Sequence, residues 1–131
     1  MAVGWIVDKS AAVRSNEPDV AAGLSRLGEP LFICDVGMLE QLFSARSAAS
    51  YDLLHQTLRA NFSSIESPAD LLTRAIALQR DLAHHHGMWH RIPVPDLLIA
   101  ETALHHNLGV VHVDADFEKI AKVRPLETVS L

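Results

Sequence analysis

Five acidic residues carry the chemistry this sequence can offer: Asp8, Glu40, Asp96, Asp114 and Asp116. Asp8 ends the apolar run Gly4 to Val7, and Asp114 ends Val110 to Val113, with Asp116 just beyond. Short apolar runs of this kind are buried strands, so each acid stands where the chain leaves the core. A single aspartate there serves equally well as a helix cap. Two strands ending the same way point to a shared purpose.

Glu40 lies four residues after Val36 and three before Phe43. On a helix that spacing puts a carboxylate on the apolar stripe. Either Glu40 reaches water from the rim of the stripe, or it needs a buried positive partner, because an isolated buried charge is costly. Asp96 opens Leu97-Leu98-Ile99-Ala100, a first turn apolar on every side. A helix of that composition is buried on more than one face. Capping accounts for Asp96 taken alone; beside the other acids it reads as a further wall of one pocket.

Two unit charges about 4 Å apart repel by roughly 4 kcal/mol at an effective dielectric near 20. Four or five gathered carboxylates must therefore protonate or hold a cation. Oxygen donors without a Cys or His set favour Mg²⁺ or Mn²⁺. Such an ion neutralises charge on a phosphate and lowers the pKa of a bound water, which is the chemistry of phosphodiester hydrolysis.

The elements that must position these acids alternate in type. Strands are expected at 4–7, 31–34, 62–65 and 110–113, with an edge strand at 128–131. Helices are expected at 9–14, 17–27, 36–45 and 48–61. Another starts from a Ser67 cap with Pro68 at its first position, carries Leu71, Ala75, Leu78 and Leu82 on one stripe, and runs to His84. The helix after Asp96 closes at Asn107-Leu108-Gly109. Short apolar strands separated by helices give an α/β fold with a mainly parallel sheet and helices on both faces. In such a sheet, functional groups collect outside the carboxyl ends of the strands.

With 131 residues, no repeat and no linker, residues 1–131 read as a single domain. No apolar run approaches the ~20 residues of a membrane span. The N-terminus lacks the basic region and cleavage site of a signal peptide. Cys34 stands alone, which suits a buried core position and a reducing cytoplasm. The net charge of −5 comes from 16 acids against 11 Lys and Arg, and argues against a broad basic surface. Setting five acids aside leaves 16 − 5 = 11 against 11: a neutral body around one acidic hole.

Four segments carry a resemblance that spans essentially the whole chain: IVDKSA, CDVGMLEQLFSAR, PDLLIAETALHHN and HVDADF. In this order they resemble PIN-domain ribonucleases and, more narrowly, the VapC toxins of bacterial toxin–antitoxin pairs. The resemblance implies a three-layer α/β/α sandwich with a short, mainly parallel sheet, and a homodimer. It implies an Mg²⁺- or Mn²⁺-dependent endoribonuclease acting on RNA of the tRNA or rRNA class and inhibited by a VapB-type antitoxin. Asp8, Glu40, Asp96 and Asp114 match the family's metal-binding quartet, and Asp116 matches an additional acid beside it. Ser10 matches a D-x-S hydroxyl able to bond a carboxylate or a metal-bound water; otherwise it caps the helix there.

Lys9, Arg14 and Arg46 lie on segments near Asp8 and Glu40 and are candidate phosphate contacts. Trp89 and Arg91 follow in a loop suited to RNA, or equally to a dimer or antitoxin contact. His84, His85, His86 and His90 show no H-x₃-H pair on one helical face and read as a solvated helix end. His112 stands where many relatives have Thr or Ser, and no role follows for it. Two other readings remain: a catalytically silent PIN-like binding module, which loss of one quartet acid would favour, and a receiver-type phosphoacceptor domain. The latter needs a late-strand Lys, where this chain offers His and Asp.

Overall fold

In the computed structural model, which describes residues 2–28 and 30–131, the strands are β1 (Trp5–Val7), β2 (Leu31–Cys34), β3 (Ser63–Ile65), β4 (Gly109–His112) and β5 (Thr128–Ser130). All pair in parallel, in the order β3-β2-β1-β4-β5. The helices are α1 (Lys9–Ala12), α2 (Pro18–Leu27), α3 (Asp35–Leu42), α4 (Ala48–Asn61), α5 (Leu71–His84), α6 (Val94–His105) and α7 (Asp116–Ile120).

Strand side chains alternate between two faces, and the core divides accordingly. Ile6, Cys34 and Val110 point to the face covered by α5 and α6, where they meet Leu78, Leu82, Ile99 and Ala103. Val7 and Val111 point the other way, onto Ala11 of α1 and Leu24 of α2. Ile33 meets Leu42 of α3 and Leu58 of α4 on a third cluster. The result is the expected α/β/α sandwich. The stripe Leu71, Ala75, Leu78, Leu82 is buried as its spacing required, and α6 buries residues on all sides.

Close packing at the centre demands glycine at the start of β4. A Cβ on Gly109 would fall 2.6 Å from Trp5 Cε3 and 2.9 Å from the Glu127 carbonyl oxygen. The indole can shift, but the backbone oxygen cannot easily do so. Gly109→Ala is expected to cost about 1–3 kcal/mol, read as a lower urea midpoint at unchanged slope.

Several local expectations need correction. The helix after Pro68 begins at Leu71, with Asp70 as its N-cap and no side-chain cap. Ser67 plays no capping part, and the Asp70 carboxylate instead holds Arg74 at 2.9 Å. The strand placed at Val110 to Val113 is shifted one residue, so Val113 and Asp114 both lie beyond it. α3 ends at Leu42, and Phe43 is 88% exposed. Its inward residues are Gly37, Gln41 and Leu42, so Val36, Glu40 and Phe43 form no core stripe.

Glu101, which no pattern in the sequence singles out, is buried in α6. Arg74 Nη1 lies 3.8 Å and Arg124 Nε 3.6 Å from its carboxylate. Burial pushes its carboxyl above the usual range, and the two guanidinium groups pull against that rise. Among the described residues, no helix is long and apolar enough to cross a membrane.

Candidate metal centre

The order of the sheet fixes where the site lies. From β1 the chain moves out through β2 to β3, then returns to place β4 on the other side of β1. The carboxyl ends of β1 and β4 therefore flank the point where the winding reverses, the usual place for a ligand in an open parallel sheet. Val7 is in register with Val111, and the Asp8 amide donates to the Val111 carbonyl at 2.9 Å. That pairing brings Asp8 beside the turn that carries Asp114 and Asp116.

Asp8 caps α1. Its Oδ2 accepts from the Ser10 amide at 3.0 Å and from Ser10 Oγ at 2.7 Å. Ser10 Oγ in turn accepts from the Val113 amide at 2.9 Å, so one hydroxyl stitches the two strand ends together. Ser10 thus bonds a carboxylate and does not cap the helix. Asp114 Oδ1 accepts from the Asp116 amide at 2.8 Å, which starts α7. Asp116 is therefore the first residue of that helix and not its cap.

Asp96 enters from the first turn of α6 and is only 7% exposed. Glu40 enters from α3, half-buried, so the rim position describes it better than the apolar stripe. Carboxylate oxygens of Asp8, Glu40 and Asp96 lie within 4.8 Å of one another, and so do those of Asp96, Asp114 and Asp116. All five acids converge, in two triads that share Asp96. Asp35, which follows β2, is exposed and belongs to neither triad.

Electrostatics show the strain. Burial pushes the Asp96 carboxyl up to about 8, with further contributions from the charges of Asp8, Asp114, Glu40 and Asp116. Glu40 is raised for the same leading reason and by Asp8 and Asp114, while Lys9 opposes the shift. Among the described residues, no donor reaches Asp8 Oδ1 or Glu40 Oε1, and both are buried. Oxygens left in that condition are costly unless something positive meets them. An oxygen-only set with unsatisfied buried members fits a hard divalent cation such as Mg²⁺ or Mn²⁺.

Lys9 lies close enough to Glu40 for its charge to oppose the rise of that carboxyl. Arg14, Arg46 and Arg91 are exposed, and among the described residues none pairs with the five carboxylates. Trp89 stacks on His85 with ring centroids 4.3 Å apart, which occupies one face of its indole. No histidine joins a metal-binding group among the described residues. Sequence reasoning missed Lys119, whose Nζ lies 3.9 Å from Asp116; its i, i+3 spacing was the available signal. It also missed Glu118, whose carboxyl is held below its usual range by hydrogen bonds from Thr128 and His112.

A model of the PIN domain matches residues 6–123. The chain belongs to the PIN-domain family. This PIN-domain chain is 53% identical over 124 residues to Ribonuclease VapC17 of Mycobacterium tuberculosis, covering 92% of this chain and 90% of that protein. Ribonuclease VapC21 of the same species is 35% identical over 133 residues, covering 98% and 96%. Among solved structures, VapBC2 from Rickettsia felis bound to a DNA fragment from its promoter superposes with a TM-score of 0.76 at 16% identity, covering 97% and 98%. VapBC-1 from nontypeable Haemophilus influenzae gives 0.75 at 16% identity, covering 96% of each chain. At that identity the likeness is one of fold, and it is the PIN-type sandwich described above.

Proposed function

We propose that this PIN-domain protein is an Mg²⁺- or Mn²⁺-dependent endoribonuclease toxin of the VapC kind. It hydrolyses phosphodiester bonds in RNA of the tRNA or rRNA class, acts in the cytoplasm as a homodimer, and is held inactive by a VapB-type antitoxin. One observation carries the reading. Five carboxylates meet at the sheet's switch point, two of them with buried oxygens that no donor among the described residues reaches. The identity to Ribonuclease VapC17 supplies the RNA-directed half.

In this reading Asp8, Glu40, Asp96 and Asp114 hold the ion or ions, and Asp116 completes the second triad. A bound Mg²⁺ or Mn²⁺ supplies charge neutralisation at the scissile phosphate and a water of lowered pKa. Asp96, common to both triads, sets how they face one another. Ser10 orients Asp8 through its hydroxyl and ties it to the Asp114 turn. Lys9 sits at the rim, and Arg14, Arg46 and Arg91 are free to meet the RNA backbone as it enters.

The partners rest on two apolar surfaces. Leu72, Ile76 and Val94 are all more than half exposed and border a recess between α5 and α6, which suits a second copy. A separate groove bounded by α1, α2, α3 and α4 is lined by Leu24, Leu54 and Phe62 and suits an antitoxin segment. The solved structures of VapBC2 and VapBC-1 support an antitoxin partner as such.

The test is direct. Purified protein should cut total tRNA and rRNA into discrete fragments with Mg²⁺ or Mn²⁺, leave them intact in EDTA, and lose activity when the cognate antitoxin is added. RNA that stays whole at saturating Mn²⁺ would rule the activity out.

A further inference from the structure

His112 is fully buried at the carboxyl end of β4, where an imidazole is costly unless its nitrogens are satisfied. Both nitrogens have partners. Nδ1 accepts from the Asp114 amide at 3.2 Å, and Nε2 lies 2.8 Å from Glu118 Oε1. A backbone N–H only donates, so Nδ1 presents a lone pair and the ring proton sits on Nε2, aimed at Glu118. Glu118 Oε1 also accepts from Thr128 Oγ1 at 2.6 Å. The ring therefore links the acidic turn to α7 and, through Thr128, to β5.

The amides involved give this network its meaning. Beyond β4 the chain turns, and three of its N–H groups are taken by side chains instead of the strand ladder. Val113 donates to Ser10, Asp114 to His112, and Asp116 to the Asp114 carboxylate. The direction in which Asp114 leaves the sheet is thus set by Ser10 on one side and His112 on the other. Phe117, with its ring centroid 5.5 Å from the imidazole, limits how far that ring can tilt.

We infer that His112 and Glu118 are positioning residues, a clamp that fixes the Asp114 backbone and with it the direction from which its carboxylate enters the acid cluster. The inference rests on the metal-dependent reading but concerns ion affinity and leaves the identity of the RNA aside. His112 touches no reacting atom. Its effect passes through the hydrogen bond to the Asp114 amide.

The test is Mn²⁺ affinity of the whole protein, measured from the electron paramagnetic resonance of free Mn²⁺ and so independent of RNA cleavage. Partners that orient metal ligands typically cost tenfold or more in affinity when removed. Glu118→Ala and His112→Phe should each bind Mn²⁺ about tenfold more weakly. Glu118→Gln, which still accepts from both neighbours, should stay within about twofold of wild type. Glu118→Ala leaves the buried His112 Nε2–H without its acceptor, so its metal-free melting temperature should fall as well, and the affinities are compared on folded protein. A long-range ¹H–¹⁵N spectrum should show His112 with a bare Nδ1.

Unchanged Mn²⁺ affinity in Glu118→Ala, or a protonated Nδ1, overturns the clamp; should His112→Phe fail to fold, the Glu118 pair decides. A wild-type chain that binds Mn²⁺ without cutting RNA removes the proposed activity, while the clamp still stands or falls on the affinities. One that binds no Mn²⁺ overturns both.

Discussion

Replacing Asp96 with asparagine should all but abolish RNA cleavage and, in the same molecule, make the metal-free fold more stable. The first effect follows from Asp96 serving both triads, so that one substitution weakens the whole acid set. A loss of about 100-fold or more is expected, since removing even an outer partner of a metal ligand costs 10- to 100-fold. The second effect follows from its carboxyl, which burial and four neighbouring carboxylates push up to about 8. In the unfolded chain the same group ionises near 3.9. Between those values the fold keeps a proton that the unfolded chain has released. Stability is therefore lost as pH rises from about 4 through 8. Asparagine has no proton to keep.

The gain at alkaline pH is of the order of a few kcal/mol. Thermal melts in EDTA at pH 5.5 and 8.5 should show wild type losing stability with pH and Asp96→Asn losing less. Some slope should remain, because Glu40 and Glu101 are raised as well. Adding Mn²⁺ should reverse the ranking by stabilising wild type and not the variant. A variant that cuts RNA at more than about a tenth of the wild-type rate would show that Asp96 is no shared ligand.

The second large effect is on stability alone. Phe117 has no exposed surface and joins Ile6, Leu78, Val110 and Ile120 in the main core. It also sits one residue past Asp116, directly under the acidic turn. Phe117→Ala should cost about 3–5 kcal/mol through lost transfer energy and an unfilled cavity. Set against a total of about 5–15 kcal/mol for an ordinary domain, that is a large fraction. Urea unfolding should show the drop in midpoint, and Phe117→Leu should recover most of it. A drop below about 1 kcal/mol would mean that the site's floor is not this ring.

Much of this was legible in the sequence because it depends on period and on strand ends. Two-residue alternation and helical stripes gave the elements, and the rule for open parallel sheets gathered Asp8, Asp114 and Asp116. Glu40 was found through a stripe that does not exist: the face an eight-residue helix turns inward is set by its neighbours, and here Phe43 faces solvent. No local signal separates Ser67 from Asp70 as the N-cap of α5, and the helix starts after Asp70 with no side-chain cap from either. The link from His112 through Glu118 to Thr128 joins a strand, a helix and an edge strand, so no spacing announces it. Glu101 was missed for the same reason, its arginines lying on α5 and near the C-terminus.

The pairing of β1 with β4 has a consequence for how the molecule comes into being. Protein synthesis delivers Asp8, Glu40 and Asp96 before Asp114, and the strand that carries Asp114 to its place belongs to the last part of this chain. Until β4 pairs with β1, the central contact of the sheet is open and the acid cluster lacks one triad. A ribosome partway through this message therefore holds a chain without a finished site. Competence to cut arrives late, with a long-range closure that is slow by its nature.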